Sequence, residues 1–168
     1  MAKTPGKQFE EDFKKSVPYD VYFYRLRDGT ASFYKSEEEM KADKNIRFQM
    51  TNDYDILLIC MPVVIMAELK SYNNSAYSLS GLRKNQIKGL TYASSFEGIS
   101  PGIIFNIRKV EKTFFVHWKH VDYFMKTETR KSIPNQWIID NGIEISQWKK
   151  VKNYTYDIRK FFDKLKGF

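Results

Sequence analysis

The chain has 168 residues, 42% apolar and 16% aromatic, which suits one domain with a real core and is too apolar for a disordered tail. Its 28 Lys and Arg against 20 Asp and Glu give a formal net charge of +8 and point to a polyanionic partner. Nucleic acid fits better than a membrane, since no long apolar span or strongly amphipathic basic helix is visible. The single cysteine, Cys60, excludes an intramolecular disulfide and a cysteine-rich zinc site. The N-terminus MAKTPGKQFEEDF has no hydrophobic signal core, so a reducing, cytoplasmic setting is expected.

In chain order, residues 6–17 read as a helix, because Phe9, Phe13 and Val17 recur at i, i+4 and i+8 and Pro18 closes the run. At 100° per residue Glu10 lies at the margin of that buried stripe and Glu11 points away from it. The alternating, aromatic segment 19–28 is a predicted strand. The polar, charge-dense stretch 29–52 has little core signal and reads as a protruding hairpin, loop or short helix. The apolar run 55-DILLICMPVVIMAELKS-71 reads as a hairpin turning at Met61-Pro62. A Ser/Asn-rich connection, 71–80, leads to a helix from about Leu82 to Ser94, with Leu82, Ile87, Leu90 and Ala93 on its apolar face. Strands are predicted over 102–110 and 112–120. His117 and His120 then face opposite sides of a strand with no further soft ligand nearby, which argues against zinc. The stretch 126–137 reads as a polar loop. Residues 154–168 resemble an amphipathic helix with Ile158, Phe161, Phe162 and Leu165 inward. From Trp118 to Phe168 there are 11 Lys and Arg against 6 Asp and Glu, five of the eight net positive charges. The whole reads as a compact α/β domain.

The hairpin carries chemistry that a plain apolar ribbon does not need. If it turns symmetrically about Met61-Pro62, Cys60 faces Val63, and continuing the count Asp55 faces Glu68. Directly opposed residues have Cβ atoms about 5 Å apart, where two carboxylates repel unless a cation lies between them. A one-residue slip would separate them to opposite faces. Glu68 and Lys70 are two apart and share a face of their strand. Hard carboxylate oxygens suit Mg²⁺ or Mn²⁺, and a nearby ammonium can orient water or offset phosphate charge. These are the parts of a metal-dependent phosphodiesterase.

Asp55, Glu68-Leu69-Lys70 and an upstream helical Glu10 in GKQFE resemble the PD-(D/E)xK nuclease superfamily. More narrowly, NDYDILL, AELKS, LRKNQIKGL and GIIFNIR, in that order, resemble the RecU group of Holliday-junction resolvases and their phage-encoded relatives. The likeness is clearest from Thr51 to Arg108. It implies a restriction-endonuclease-like fold, a mixed sheet flanked by helices, in a single nuclease domain over 1–168 with a stalk-like insertion at about 29–50. It implies that Asp55 and Glu68 bind Mg²⁺, with Mn²⁺ able to substitute, that Lys70 stabilises the transition state or orients water, and that Gln86 helps hold the metal or its water shell. Glu10 would be the superfamily's N-terminal helix acid. Asp53 stands where the family usually has a hydroxyl or other oxygen ligand, so it is a further candidate metal ligand, with Asp55 favoured as the primary one because it begins the apolar strand. Lys35, Lys41, Lys44 and Arg47 in the stalk, Arg83 and Lys84 at the start of the next helix, and Lys126, Arg130 and Lys131 are candidate DNA contacts. The resemblance further implies a homodimer that nicks a four-way junction symmetrically, with no membrane and with a recombinase or branch-migration motor as a possible further partner. Two other readings stay open on the residues: a nuclease of this fold acting on flaps, other branched DNA or duplex sites, and a non-cleaving module that binds branched DNA.

Overall fold

The computed structural model describes residues 3–26 and 52–166. The stalk-like insertion expected at about 29–50, with Lys35, Lys41, Lys44 and Arg47, lies outside the described residues.

The first helix, α1 (Pro5–Ser16), begins where the sequence supplies both start signals: the Thr4 hydroxyl accepts from the Lys7 amide, and proline takes the first helical position. It ends at Val17, which turns to an extended conformation before Pro18. Phe9 and Phe13 are buried as the periodicity requires. So is Asp12, which the sequence reading left unremarked. Its carboxylate accepts from the Gln8 amide group and from the Tyr154 backbone N–H, tying α1 to a strand near the C-terminus.

Among the described residues the central sheet has six strands: β1 (Tyr22–Arg25), β2 (Ile56–Cys60), β3 (Val63–Tyr72), β5 (Ile99–Ile107), β6 (Lys112–His117) and β8 (Ile143–Ile145), in the order β1-β2-β3-β5-β6-β8. Of the pairings between them, β3–β5 is parallel and the others are antiparallel. A parallel neighbour needs a crossover, provided by β4 (Ala76–Ser78), a 3-10 turn (Leu79–Gly81) and α2 (Lys84–Ala93). After β6 come α3 (Trp118–Thr127), β7 (Ser132–Pro134), which pairs with β4, and α4 (Asn135–Asn141). The chain closes with the hairpin β9 (Gln147–Lys150) and β10 (Asn153–Tyr156), then α5 (Ile158–Lys166).

Each face of the sheet has its own core. Ile56, Leu58, Ile65, Ala67, Leu69, Ile104 and Phe115 project toward α1 and α5, where they meet Phe9, Phe13, Phe161 and Phe162. Ile103, Phe105, Phe114 and Val116 project the other way, toward Leu90 of α2, Val121 and Phe124 of α3 and Ile138 of α4. This is the expected mixed sheet flanked by helices.

The structure departs from the sequence expectations in four places. The helix expected over 154–168 begins only at Ile158, because residues 153–156 form β10. Strand β5 covers 99–107, and residues 108–110 form a 3-10 turn, not the end of a strand. The segment expected to continue as strand through His120 stops at His117, whose Nδ1 accepts from the Lys119 amide and caps α3, so residues 118–120 are helical. The polar loop expected over 126–137 contains the end of α3, then β7 and the start of α4. The apolar residues that fill these short elements, such as Ile133, are too few in each to set up a period.

Candidate active site

The hairpin forms in the symmetric register. Cys60 pairs with Val63, Ile59 with Val64, and so on to Ile56 with Ala67, which leaves Asp55 as the next position opposite Glu68. Asp55 begins the ladder without being a free end. Its N–H donates to the Ala67 carbonyl at 3.1 Å, and its own carbonyl accepts from the Leu26 N–H at 2.9 Å. Its side chain is fixed as well: Oδ2 accepts from the Leu69 N–H at 2.8 Å.

Because Ile56, Ala67 and Leu69 fill the core beneath α1 and α5, the pleat turns Asp55, Glu68 and Lys70 to the α2 face. Glu68 is 2% exposed there. Its Oε1 accepts from Lys70 Nζ at 2.7 Å and also from Gln86 Nε2. Its Oε2 is buried and has no donor, and only a protonated Glu68 would share a hydrogen bond with the Asp55 carboxylate beside it. Burial, and then the adjacent Asp55 charge, push the Glu68 carboxyl up to about 7 against the pull of the Lys70 ammonium.

Gln86 is buried, not on a helix surface. Its amide is held at both ends, since Oε1 accepts from the Arg83 N–H at 2.9 Å while Nε2 serves Glu68. A glutamine three residues after the helix cap thus satisfies an otherwise unpaired backbone donor and orients a carboxylate at once.

Glu10 approaches from the other layer. Its carboxylate pairs with the Arg25 guanidinium at the end of β1. Burial holds the Glu10 carboxyl above its ordinary value, with Arg25 opposing the rise and the Asp55 charge adding to it. Glu11 points elsewhere, to Lys3. Arg25, unnoticed in the sequence, is thereby part of the site's surroundings. It sits at the end of an alternating strand, where periodicity marks a face and says nothing about a partner.

Asp53 is exposed and takes no part in the hydrogen bonds that join Asp55, Glu68, Lys70 and Gln86. Its side chain lies against Gly89 of α2, where a Cβ would come within 2.2 Å of the Asp53 Cβ. The neighbouring Asn52 carbonyl accepts from the Asn85 side chain, so residues 52–53 dock along α2.

Arg83, Lys84, Arg130 and Lys131 are exposed. The β4–β7 pairing and a bond from the Leu79 N–H to the Lys131 carbonyl bring the 130–131 loop beside the chain that leads to Arg83. Lys126 is exposed on α3 and is engaged by Asp122 one turn earlier. Because α3 starts at Trp118, His117 and His120 line one cavity of about 530 Å³ with Phe115, Asp140 and Leu165. That cavity is walled partly by the α1/α5 core, away from Glu68.

The donor set can be tested against a divalent cation. Two carboxylates meet where burial disfavours the charge of Glu68, one oxygen of Glu68 is buried without a donor, and all the candidate ligand atoms are hard. Among the described residues no three His, Cys, Asp or Glu converge into a closed cage. Two carboxylates with room left for water and phosphate is how Mg²⁺ is commonly held, so the residues fit that ion.

The chain matches the family described as recombination protein U, RecU, over residues 14–159. It is 30% identical to the SPbeta prophage-derived uncharacterized protein YotM of Bacillus subtilis (strain 168), over 98% of this chain and 88% of that protein. It also resembles the structure of Archaeoglobus fulgidus Hjc, a Holliday junction resolvase from an archaeal hyperthermophile, with a TM-score of 0.50 and 15% identity, covering 83% of this chain and 95% of that one. At that identity the likeness carries the fold, which is restriction-endonuclease-like. Among the described residues no helix is long and apolar enough to cross a membrane.

Proposed function

The chain belongs to the recombination protein U family, and from that premise we propose that it is a Mg²⁺-dependent endonuclease that resolves Holliday junctions as a homodimer, with paired symmetrical nicks. The observation that carries the reading is the pairing of Asp55 with Glu68, whose buried Oε2 has no partner, beside Lys70 and Gln86. A structural carboxylate at so buried a position would be expected to have both oxygens satisfied. The Archaeoglobus protein of like fold is itself a Holliday junction resolvase, which supports the substrate class.

Asp55 and Glu68 would hold the metal, with Mn²⁺ able to replace Mg²⁺. When bound, the cation lowers the pKa of water and offsets charge on the phosphate. The rest falls to the chain. Hydrolysis forms a bond from a water oxygen to phosphorus and breaks a phosphorus–oxygen bond to deoxyribose; the water gives up a proton and the leaving oxygen gains one. Lys70, fixed at 2.7 Å from Glu68 and only 16% exposed, presents an ammonium that orients the water and opposes negative charge on the phosphate. Gln86 keeps the Glu68 carboxylate in one orientation. Arg25 and Glu10 form a charged pair at the rim. Arg83, Lys84, Arg130 and Lys131 supply sequence-independent affinity for the backbone.

The test is cleavage of a labelled mobile four-way junction beside linear duplex, with Mg²⁺ or EDTA, for wild type and Asp55→Asn. Paired symmetrical nicks only on the junction, only with Mg²⁺ and only in wild type are expected. Equal cutting of linear duplex would overturn the junction specificity. Tight binding with no cleavage in Mg²⁺ or Mn²⁺ would overturn the enzyme and leave a binding module.

A further inference from the structure

Among the described residues three buried side-chain atoms have no hydrogen-bond partner: Glu68 Oε2, Tyr77 Oη and Gln147 Nε2. Gln147 belongs to a separate polar chain through Thr113 and Asn106 to Ser71. The other two lie on one side of the sheet, since Tyr77 packs on Phe105, the β5 neighbour of Lys70, in the core on the face to which Glu68 is turned. The Tyr77 phenol is raised above its ordinary range first by burial, then by the charge of Glu68, with Tyr72 and Asp55 adding to it.

The placement of Tyr77 is closely determined. It sits in β4 opposite Ile133 of β7. Its ring packs edge-on against Tyr72 and Phe105, with centroids at 5.4 and 5.1 Å, and Phe105 is the β5 partner of Lys70. The phenol oxygen reaches Gly81, where a Cβ would lie 2.5 Å from it. Glycine at 81 therefore leaves the room that the hydroxyl occupies. Ring packing alone would be served equally by phenylalanine, without the cost of a buried hydroxyl that has no partner. Tyr77 is 7% exposed and its hydroxyl oxygen is buried, out of direct reach of DNA. A buried phenol oxygen without a partner, beside a site that fits a hydrated cation, is suited to accept from a water of hydration, because cation-bound water donates through its hydrogens.

We propose that Tyr77 is a positioning residue of the metal site, its phenol oxygen accepting from a water that hydrates the cation held by Asp55 and Glu68 and so closing the buried side of the hydration shell. The proposal rests on the reading of that site as a metal centre. Groups that orient ligands or waters around a metal typically change affinity by about 10- to 100-fold when removed.

The experiment is a titration of Mn²⁺ alone, followed by the electron paramagnetic resonance signal of the free ion, on wild type, Tyr77→Phe and Glu68→Gln, with thermal melts in EDTA. Tyr77→Phe is expected to keep or raise the metal-free melting temperature, because the ring contacts stay and an unsatisfied hydroxyl goes. Its Mn²⁺ affinity is expected to fall by about tenfold or more, and its junction binding in EDTA to stay as in wild type. Wild-type affinity in Tyr77→Phe alongside lost binding in Glu68→Gln would overturn the role of Tyr77 and leave the metal site standing. No Mn²⁺ binding by wild type, or undiminished binding by Glu68→Gln, would overturn the metal centre and this proposal with it.

Discussion

Gln86 of α2 and Lys70 of β3 donate to the same oxygen of Glu68, Oε1. Two donors on one side of a carboxylate stop it rotating and leave Oε2 without a donor. The helix after the hairpin therefore takes part in the site. Gln86→Ala is expected to weaken Mn²⁺ binding by about 10- to 100-fold. It should also cost about 1–3 kcal/mol of stability, since the Arg83 N–H loses its partner and a polar side chain leaves a packed position. Calorimetric titration and urea denaturation read the two effects. An unchanged metal affinity would reduce Gln86 to a helix cap.

Asp55→Asn and Lys70→Ala are expected to abolish junction cleavage and to leave junction binding in EDTA within about threefold, since the DNA contacts proposed above are lysines and arginines elsewhere. Asparagine can still accept from the Leu69 N–H, so the hairpin keeps its register in the first variant. Asp53→Asn, on the Gly89 side of the cluster, should lose far less activity. Gel-shift and nicking assays on one labelled junction decide this. Equal loss in the Asp53 and Asp55 variants would make Asp53 a partner in metal binding.

Gly89 has no space for a side chain. A methyl group there would sit 2.2 Å from the Asp53 Cβ and force residues 52–55 off α2. Gly89→Ala, favourable by helix propensity, is therefore expected to destabilise the protein by about 1–3 kcal/mol. Asp53→Gly in the same chain should restore most of that loss and Asp53→Ala should not, since alanine retains the offending carbon. Denaturation midpoints of the four proteins test it, and rescue by Asp53→Ala would show the contact to be wrong.

His117 predicts an acid limb in stability. Burial first, then the charges of Lys119 and His120, hold its imidazole down to about 4, below the ordinary 6.5. The neutral ring is what the fold uses, because Nδ1 accepts the Lys119 N–H. The unfolded chain takes up a proton near 6.5 and the folded chain resists until about 4. The contribution is therefore complete above pH 6.5 and lost as pH falls from 6.5 to 4. Counted in full it is about 3 kcal/mol, and the partial exposure of the ring brings it to about 1–2 kcal/mol. His117→Asn keeps a cap acceptor without the titration. Its stability should fall less steeply across this window in urea melts at stepped pH, and parallel curves would remove His117 as the cause.

The core of the site was legible because two independent patterns agreed. The turn at Met61-Pro62 fixes the count, and a two-residue pleat puts Glu68 and Lys70 on one face, so the register follows from residue numbers alone. Gln86 was visible through the family resemblance and Glu10 partly through its place on the helical wheel. Tyr77 and Arg25 were not, for the same reason. Each sits in a strand of three or four residues, where alternation assigns a face but the partner comes from a distant segment. The misread stretch at 118–120 shows the reverse fault: an apolar and polar alternation ran into a helix whose cap is a histidine, an uncommon start signal. The β9–β10 hairpin was lost among lysines that mark no face.

Strand β3 has ten residues, paired with β2 along its first half and with β5 over nine positions. Amides near Glu68 and Lys70 should accordingly be among the slowest in the chain to exchange with deuterium, opening only when the whole domain does. The segment carrying Asp53, held to α2 by an asparagine side chain and a missing methyl group, has far shallower protection to lose. Asp53 and Asp55, two residues apart in sequence, are thus expected to differ in protection, since the Asp55 N–H is bonded to the Ala67 carbonyl of β3. On the proposed function, a four-way junction would have to bring its scissile phosphate to this fixed point, so the accommodation would fall to the DNA rather than to β3.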